Sequence, residues 1–504
     1  MLFNSISFLI FFPIVTILYF FIPHKYRWFL LLTASCIFYM TFIPIYILIL
    51  AVTILIDYFA GILIEKEAGK KKKLYLIISI LSTCLVLFIF KYFNFFNANM
   101  QKLAEFLHWN YSIGSLSLIL PIGLSFHTFQ SLSYVIEVYR GNQKAEKNFG
   151  IYALYVMFYP QLVAGPIERP QNLLHQFYEE HYFDYKRVTD GLKLMAWGMF
   201  KKVVVADRLA VYVDIVYKNP SAFDGISLII ATIFFAFQIY ADFSGYSDVA
   251  IGSAQVMGFK LMTNFNRPYY SKSISEFWKR WHISLSTWFR DYLYIPLGGN
   301  RVAKWRWQLN LFIVFLVSGL WHGANWTYVI WGALHGFYLV FSIWTQKIRD
   351  FMVNIFKLKK VPAVHKFIQV AITFSLVCFA WIFFRATSIS SAMYIVTHLH
   401  VNLANDLAAF AHSIYLSFQS GKMLVDFTPI TGQLLWLQTE MTFKIAVISI
   451  IAMETIHFIQ RRGSIRNRIS QLPAVVRWSG YFLLMFSIWM FGYFSNQNFI
   501  YFQF

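Results

Sequence analysis

Long apolar runs separated by short polar intervals fill this chain. The clearest are Ser7–Ile22, Ile45–Ile64, Leu74–Phe90, Ile226–Tyr240, Phe367–Phe384 and Trp478–Phe494. With their flanks they approach the ~20 residues a helix needs to cross ~30 Å of hydrocarbon. Backbone polar groups in lipid must be satisfied within the segment, so such runs predict helices. The polar intervals Asn97–Ser115, Glu168–Asp190, Thr345–His365 and Asn402–Leu434 are too short for cores of their own and predict interfacial helices and loops. No repeat of 20–50 residues is present. The expected fold is an all-α polytopic membrane protein. It should hold about 11–13 transmembrane or re-entrant helices around a central through-membrane cavity, with interfacial amphipathic helices alongside.

Composition sharpens this picture. The chain is 58% hydrophobic and only 13% charged, where a soluble protein carries roughly a quarter charged residues. The formal charge of +20 fits Lys and Arg gathered in cytoplasmic loops better than nucleic-acid binding. Lys25 and Arg27, the run Lys66 to Lys73, and Arg140, Lys144 and Lys147 follow alternate segments, whereas Phe42–Pro44 is uncharged. This predicts an N-terminus outside and basic loops inside. The first run lacks a basic leader and small residues at its end, so it reads as a spanning helix rather than a cleaved signal. Cys36, Cys84 and Cys378 lie unpaired in apolar segments and read as small buried hydrophobes, not as metal ligands.

Residues 225–341 differ from both ends in mixing apolar residues with His, Asp, Asn, Arg, Gly and Trp. Ionisable residues at membrane depth are costly and usually face a partner or a polar cavity, so a site is sought here. Leu309–Trp344 as one helix would measure ~54 Å, nearly twice the hydrocarbon thickness. It must break, and Gly319 to Asn325 is its weakest stretch. The piece before the break would be about 18 Å long. A segment ending near mid-depth at His322, then a full helix from about Trp326, accommodates both lengths. His322 is then either a cavity-facing functional group or a packed core histidine. His335 reads as a packing residue of the following helix.

Trp278, Trp281, Leu285 and Trp288 recur at helical spacing in Ser275–Asp291, opposite Lys279 and Arg280. This predicts an interfacial amphipathic helix with a Glu276–Arg280 pair and His282 on the apolar side. Pro296 and Gly298-Gly299 then turn the chain. Asp242 and Asp248 follow an apolar run and read either as helix-packing residues or as a polar channel wall. Leu120–His127 and Tyr159–Pro166 are Pro/Gly-broken apolar stretches suited to kinked backbone around the same cavity.

At these residues the chain resembles the membrane-bound O-acyltransferase family, in its bacterial alginate-type polysaccharide O-acetyltransferase branch. The resemblance rests on Trp321-His-Gly-Ala-Asn-Trp326 with Trp331-Gly-Ala-Leu-His-Gly336, and on Phe277 to Asp291 with Tyr294-Ile-Pro-Leu-Gly-Gly-Asn-Arg301. Phe158 to Glu168 and Asp242-Phe-Ser-Gly-Tyr-Ser-Asp248 add to it. It implies that His322 and His282 are the catalytic pair, with Asp242, Asp248, Arg290, Asp291, Trp321 and Asn325 along the substrate channel. It also implies a catalytic membrane domain over residues 1–400, completed by a loop and helices in 401–504, with no metal or bound cofactor. The implied donor is acetyl-CoA, and the implied location is the bacterial inner membrane. The acceptor side would be an extracytoplasmic polysaccharide, or a secreted or periplasmic acetyltransferase partner. Histidine suits the chemistry, because its unperturbed pKa lies near neutrality. Two other readings are D-alanyl or other acyl transfer to teichoic acid or another envelope polymer, and a transporter with broken helices.

Overall fold

The computed structural model describes residues 1–504 except 164, 421–433, 435–439, 462, 464, 495–498 and 501–504. Among the described residues there are helices and turns and no strand. Among the described residues, seven helices are long and apolar enough to cross a membrane: Tyr46–Lys66, Gly69–Phe106, Gly225–Met257, Trp326–Trp344, Pro362–Arg385, Met441–Gln460 and Ala474–Phe491. Ile6–Phe21, His24–Met40, Leu124–Arg140 and Lys304–His322 pack with them. The run Ile226–Tyr240 proves to be only the first half of a 33-residue helix. The interval Asn402–Leu434 opens with the helix Leu403–Ser420, and most of its remainder lies outside the described residues.

Large apolar side chains stand exposed on the outer helices, as a lipid-facing surface requires. Phe482 and Trp489 are 71% and 72% exposed. Gln346–Ile355 exposes Ile348, Phe351, Met352 and Ile355, which share one helical face. That stripe fits an interfacial helix. The early basic loops meet on one face of the body. There Glu65 accepts from the amide of Ala145, Tyr58 donates to the carbonyl of Lys147, and Lys72 lies over the Tyr139 ring.

Two close helix approaches organise the centre. Gly191 and Gly198 of the helix Tyr185–Met199 face Gly252 and Gly245 of Gly225–Met257. A Cβ on Gly198 would come within 2.6 Å of the Gly245 carbonyl oxygen. This contact brings the following π-helical turn, Phe200–Ala206, against the same helix. There Lys201 pairs with Asp248 at 2.7 Å, and Lys202 pairs with Asp242 at 2.7 Å and Asp207 at 2.8 Å. These pairs let two aspartates sit inside an apolar helix, because a buried charge is tolerated only when it is partnered.

The second approach is a hairpin of Lys304–His322 and Trp326–Trp344, which cross at Gly319 and Gly332. A Cβ on Gly332 would lie 2.3 Å from the Phe315 carbonyl oxygen. The break falls where expected, but the first arm does not. It starts at Lys304 and has 19 residues, hence roughly 28 Å rather than 18 Å. Its first turns carry Lys304, Trp305, Arg306 and Trp307, polar and amphipathic residues that the apolar pattern omits.

The single amphipathic helix expected over Ser275–Asp291 is absent. Two short helices, Ile274–Trp278 and Ile283–Phe289, are separated at His282, whose φ of 42° is left-handed and ends the helical path. Trp278, Trp281 and Trp288 are buried in protein rather than laid in an interface. The Trp288 indole N–H donates to the Phe129 carbonyl and to Ser133 Oγ, both at 2.9 Å. The Glu276–Arg280 pair forms at 2.6 Å, and Gly298 and Gly299 turn the chain with positive φ.

Candidate active site

His322 is the last residue of the first hairpin arm. Gly323 follows in extended conformation, and the second arm opens at Trp326 with Asn325 as its cap. The His322 ring is buried among Trp321, Trp331 and Phe384, with centroids at 4.9, 4.9 and 5.3 Å. His282, Lys91 and His335 are ionisable neighbours of the ring. His322 also lines a cavity of ≈ 40 Å³, together with Lys91, Trp321, Val163 and Leu120–Phe126, which runs into the first turn of the helix Leu124–Arg140. That volume admits a few water molecules. The two Pro/Gly-broken stretches do wall one cavity, and they are tied together where His127 bonds the Leu162 carbonyl at 2.9 Å. Ala164, in the second stretch, lies outside the described residues.

His282 is fully buried, and its tautomer follows from its neighbours. The backbone N–H of Ser284 can only donate, so the Asn264 atom it meets at 3.2 Å is the oxygen, Oδ1. The His282 Nδ1, 3.1 Å from that same oxygen, must therefore carry a proton. Nε2 is then the lone-pair nitrogen of the neutral ring. Asn264 also accepts from Ser284 Oγ at 2.9 Å and donates through Nδ2 to Ser247 Oγ at 3.2 Å. Its backbone carbonyl accepts from Ile283 N at 2.9 Å. The loop residue Asn264 thus fixes both the His282 ring and the start of the helix after it.

A second cavity of ≈ 430 Å³ lies beyond His282, lined by Lys193, Trp197, Lys201, Asp248, Arg267 and His457 among others. The His282 ring has near-parallel neighbours in Phe126 and Phe265, at 6.1 and 6.4 Å. Phe126 lines the small cavity and Phe265 the large one. His282 and these two rings therefore form the partition between the cavities. The larger cavity is toward the basic face, where Tyr178, near the start of the Lys193 helix, donates to Glu146. His322 lies an arm's length from Lys304, whose end of the hairpin is tied to that same face through Trp307–Tyr294 and Arg140–Asp291.

The remaining sequence candidates scatter. Trp321 is in the His322 cavity, near-parallel to Phe129 at 5.2 Å. Asp248 lines the larger cavity with its partner Lys201. Asp242 is in neither; it is held by Lys202 and by the amide of Ile500 at 2.8 Å. Asp291 lines a surface cleft with Glu137, Arg140 and Arg169, and Arg290 pairs with Asp291 at 2.8 Å. Asn325 caps the second arm by accepting from Thr327 N at 3.1 Å. His335 is fully buried and accepts from the Trp278 indole at 3.2 Å, a packing role. Sequence reasoning missed Asn264, for which no periodic signal exists. It also missed Lys91, whose signal was a lone cation inside an apolar helix. Among the described residues no group of three or more His, Cys, Asp or Glu is placed to hold a metal ion.

Residues 147–389 match MBOAT, the membrane-bound O-acyltransferase family. Among curated relatives, "Probable alginate O-acetylase AlgI" of Pseudomonas aeruginosa is 40% identical over 398 residues, covering 78% of this chain and 73% of that protein. The "Peptidoglycan O-acetyltransferase" of Helicobacter pylori is 36% identical over 394 residues, covering 73% and 72%. The "Teichoic acid D-alanyltransferase" of Streptococcus thermophilus is 31% identical over 252 residues, covering 46% and 60%.

Proposed function

Because this chain belongs to the membrane-bound O-acyltransferase family and is an O-acyltransferase of the membrane, we propose that it carries acetyl groups from cytoplasmic acetyl-CoA toward an extracytoplasmic polysaccharide. The observation that carries this reading is the pair of cavities on either side of the His282 partition. The larger one lies toward the basic face, which the positive-inside rule makes cytoplasmic. Its volume falls in the usual range for small-ligand sites, and Arg267 in its lining suits a phosphorylated thioester donor, while Lys193 and Lys201 are paired with Asp190 and Asp248. The N-terminus is then outside, in a bacterial inner membrane. Alginate and peptidoglycan O-acetylating relatives cover more of the chain, at higher identity, than the D-alanyl-transferring one, which favours acetyl over D-alanyl.

In this reaction His322 removes the proton from the acceptor hydroxyl. The oxygen attacks the thioester carbonyl, the C–S bond breaks, and the proton passes to the departing thiolate. His282, with its proton held on Nδ1 by Asn264, presents an acceptor at Nε2. It is suited to orient a hydroxyl or thiol rather than to polarise a carbonyl. The acceptor hydroxyl belongs to the polymer itself or to a secreted or periplasmic partner enzyme that completes the transfer.

The test uses purified protein in sealed vesicles, separated by orientation, with labelled acetyl-CoA on one side and soluble acceptor polymer, plus any partner, on the other. Label should reach the acceptor only when donor is on the side of the Lys66–Lys73 loop. Transfer from either side, or from D-alanyl carrier protein and not acetyl-CoA, would overturn the assignment.

A further inference from the structure

A helix ends with four carbonyls that lack intrahelical partners. For the arm that ends at His322 these are Gly319, Leu320, Trp321 and His322, and each one is met. Gly323 N donates to Gly319 at 3.4 Å. Tyr92 OH donates to Leu320 at 3.1 Å. The Lys91 ammonium donates to Trp321 at 2.7 Å and to His322 at 3.2 Å. Lys91 also reaches Ser125 Oγ at 3.3 Å and lies over the Trp321 ring at 5.8 Å. Among the described residues no carboxylate forms an ion pair with Lys91. Its charge is set against the negative end of the His322 helix instead.

A local irregularity makes this contact possible. The helix Gly69–Phe106 passes through a π-helical turn at Phe88–Tyr92, which brings the adjacent residues Lys91 and Tyr92 both to the hairpin tip. Such turns cluster at functional sites. Farther along the same helix, Asn99 accepts from the Trp326 indole at 2.9 Å, and Phe95 packs on that ring at 5.6 Å. One helix thus grips both the end of the first arm and the start of the second, with His322 between.

We propose that Lys91, assisted by Tyr92, is a positioning residue that locks the tip of the His322 helix and so sets the aim of the His322 imidazole in the cavity they share. The inference rests on the reading of His322 as the reacting base. Removing the ammonium frees two carbonyls, that of Trp321 and that of His322, the residue that carries the ring. A displacement of about 1 Å there is worth roughly 100-fold in rate.

The experiment compares Lys91→Ala, Tyr92→Phe and His322→Ala in vesicles, with acetyl transfer from labelled acetyl-CoA normalised to monodisperse protein. Lys91→Ala should lower kcat roughly 100-fold. The donor KM should hold within about twofold, since the larger cavity is untouched. Added ethylammonium, which refills the vacated space with a cation, should recover part of the kcat in Lys91→Ala and none in His322→Ala. Tyr92→Phe deletes a single oxygen, so it tests the clamp even if Lys91→Ala does not assemble; its kcat should fall roughly threefold to tenfold. Unchanged kcat per folded molecule in Lys91→Ala, or in Tyr92→Phe where Lys91→Ala does not assemble, would overturn the proposal. If His322→Ala is silent while Lys91→Ala is fully active, only this inference fails. If His322→Ala still turns over, the functional reading fails with it.

Discussion

Replacing Asn264 by Ala asks how the partition between the two cavities is held. The substitution deletes one oxygen that accepts from Ser284 N, Ser284 Oγ and His282 Nδ1, and one amide that donates to Ser247. The Ser284 N–H is then buried without a partner, at about 1–3 kcal/mol. Losing the His282 bond adds about 1 kcal/mol, whereas the Ser284 hydroxyl can turn elsewhere. The sum is about 3 kcal/mol of lost stability. The kinetic effect should be larger than the stability effect suggests, because His282 is then free to rotate or take its other tautomer. A misaimed group at a reacting centre costs on the order of 100-fold. Asn264→Asp keeps the acceptor oxygen and should retain more turnover than Asn264→Ala. The assay is acetyl-transfer kcat per monodisperse protein, with the midpoint of thermal unfolding in detergent measured in parallel. Wild-type kcat in Asn264→Ala would refute the claim that Asn264 sets the working geometry of His282.

Gly332→Val places a branched side chain where even a Cβ would lie 2.3 Å from a backbone oxygen. The hairpin arms must part, so the yield of monodisperse protein should collapse while the same change at Gly480, where no atom lies within 4 Å of a Cβ, should leave it intact. Lys202→Met leaves Asp207 and Asp242 facing each other without their cation, a loss of about 3–5 kcal/mol. Adding Asp242→Asn should recover part of that in thermal unfolding, and no recovery would show that the three side chains do not act as one unit.

The apolar runs foretold the helices because lipid-facing segments cannot hide their composition; length required a break in Leu309–Trp344, and the weak helix formers of Gly319 to Asn325 placed it beside His322. Other features depended on contacts invisible along the chain. The tryptophans of Ser275–Asp291 keep helical spacing although His282 breaks the helix, because each is buried in protein from a separate short element rather than aligned on one face. The helix Gly225–Met257 outran its apolar pattern because Lys201 and Lys202, about 40 residues upstream, neutralise its aspartates. The same pairing takes Asp242 away from both cavities. Lys91 stands just past the end of the run Leu74–Phe90, so the apolar pattern passes it over.

His322 remains the residue on which the account turns. In vesicles supplied with labelled acetyl-CoA and acceptor, His322→Ala should insert, stay monodisperse and unfold near the wild-type temperature, yet transfer no acetyl group. Acetyl transfer at the wild-type rate by that folded variant would contradict the assignment of this site.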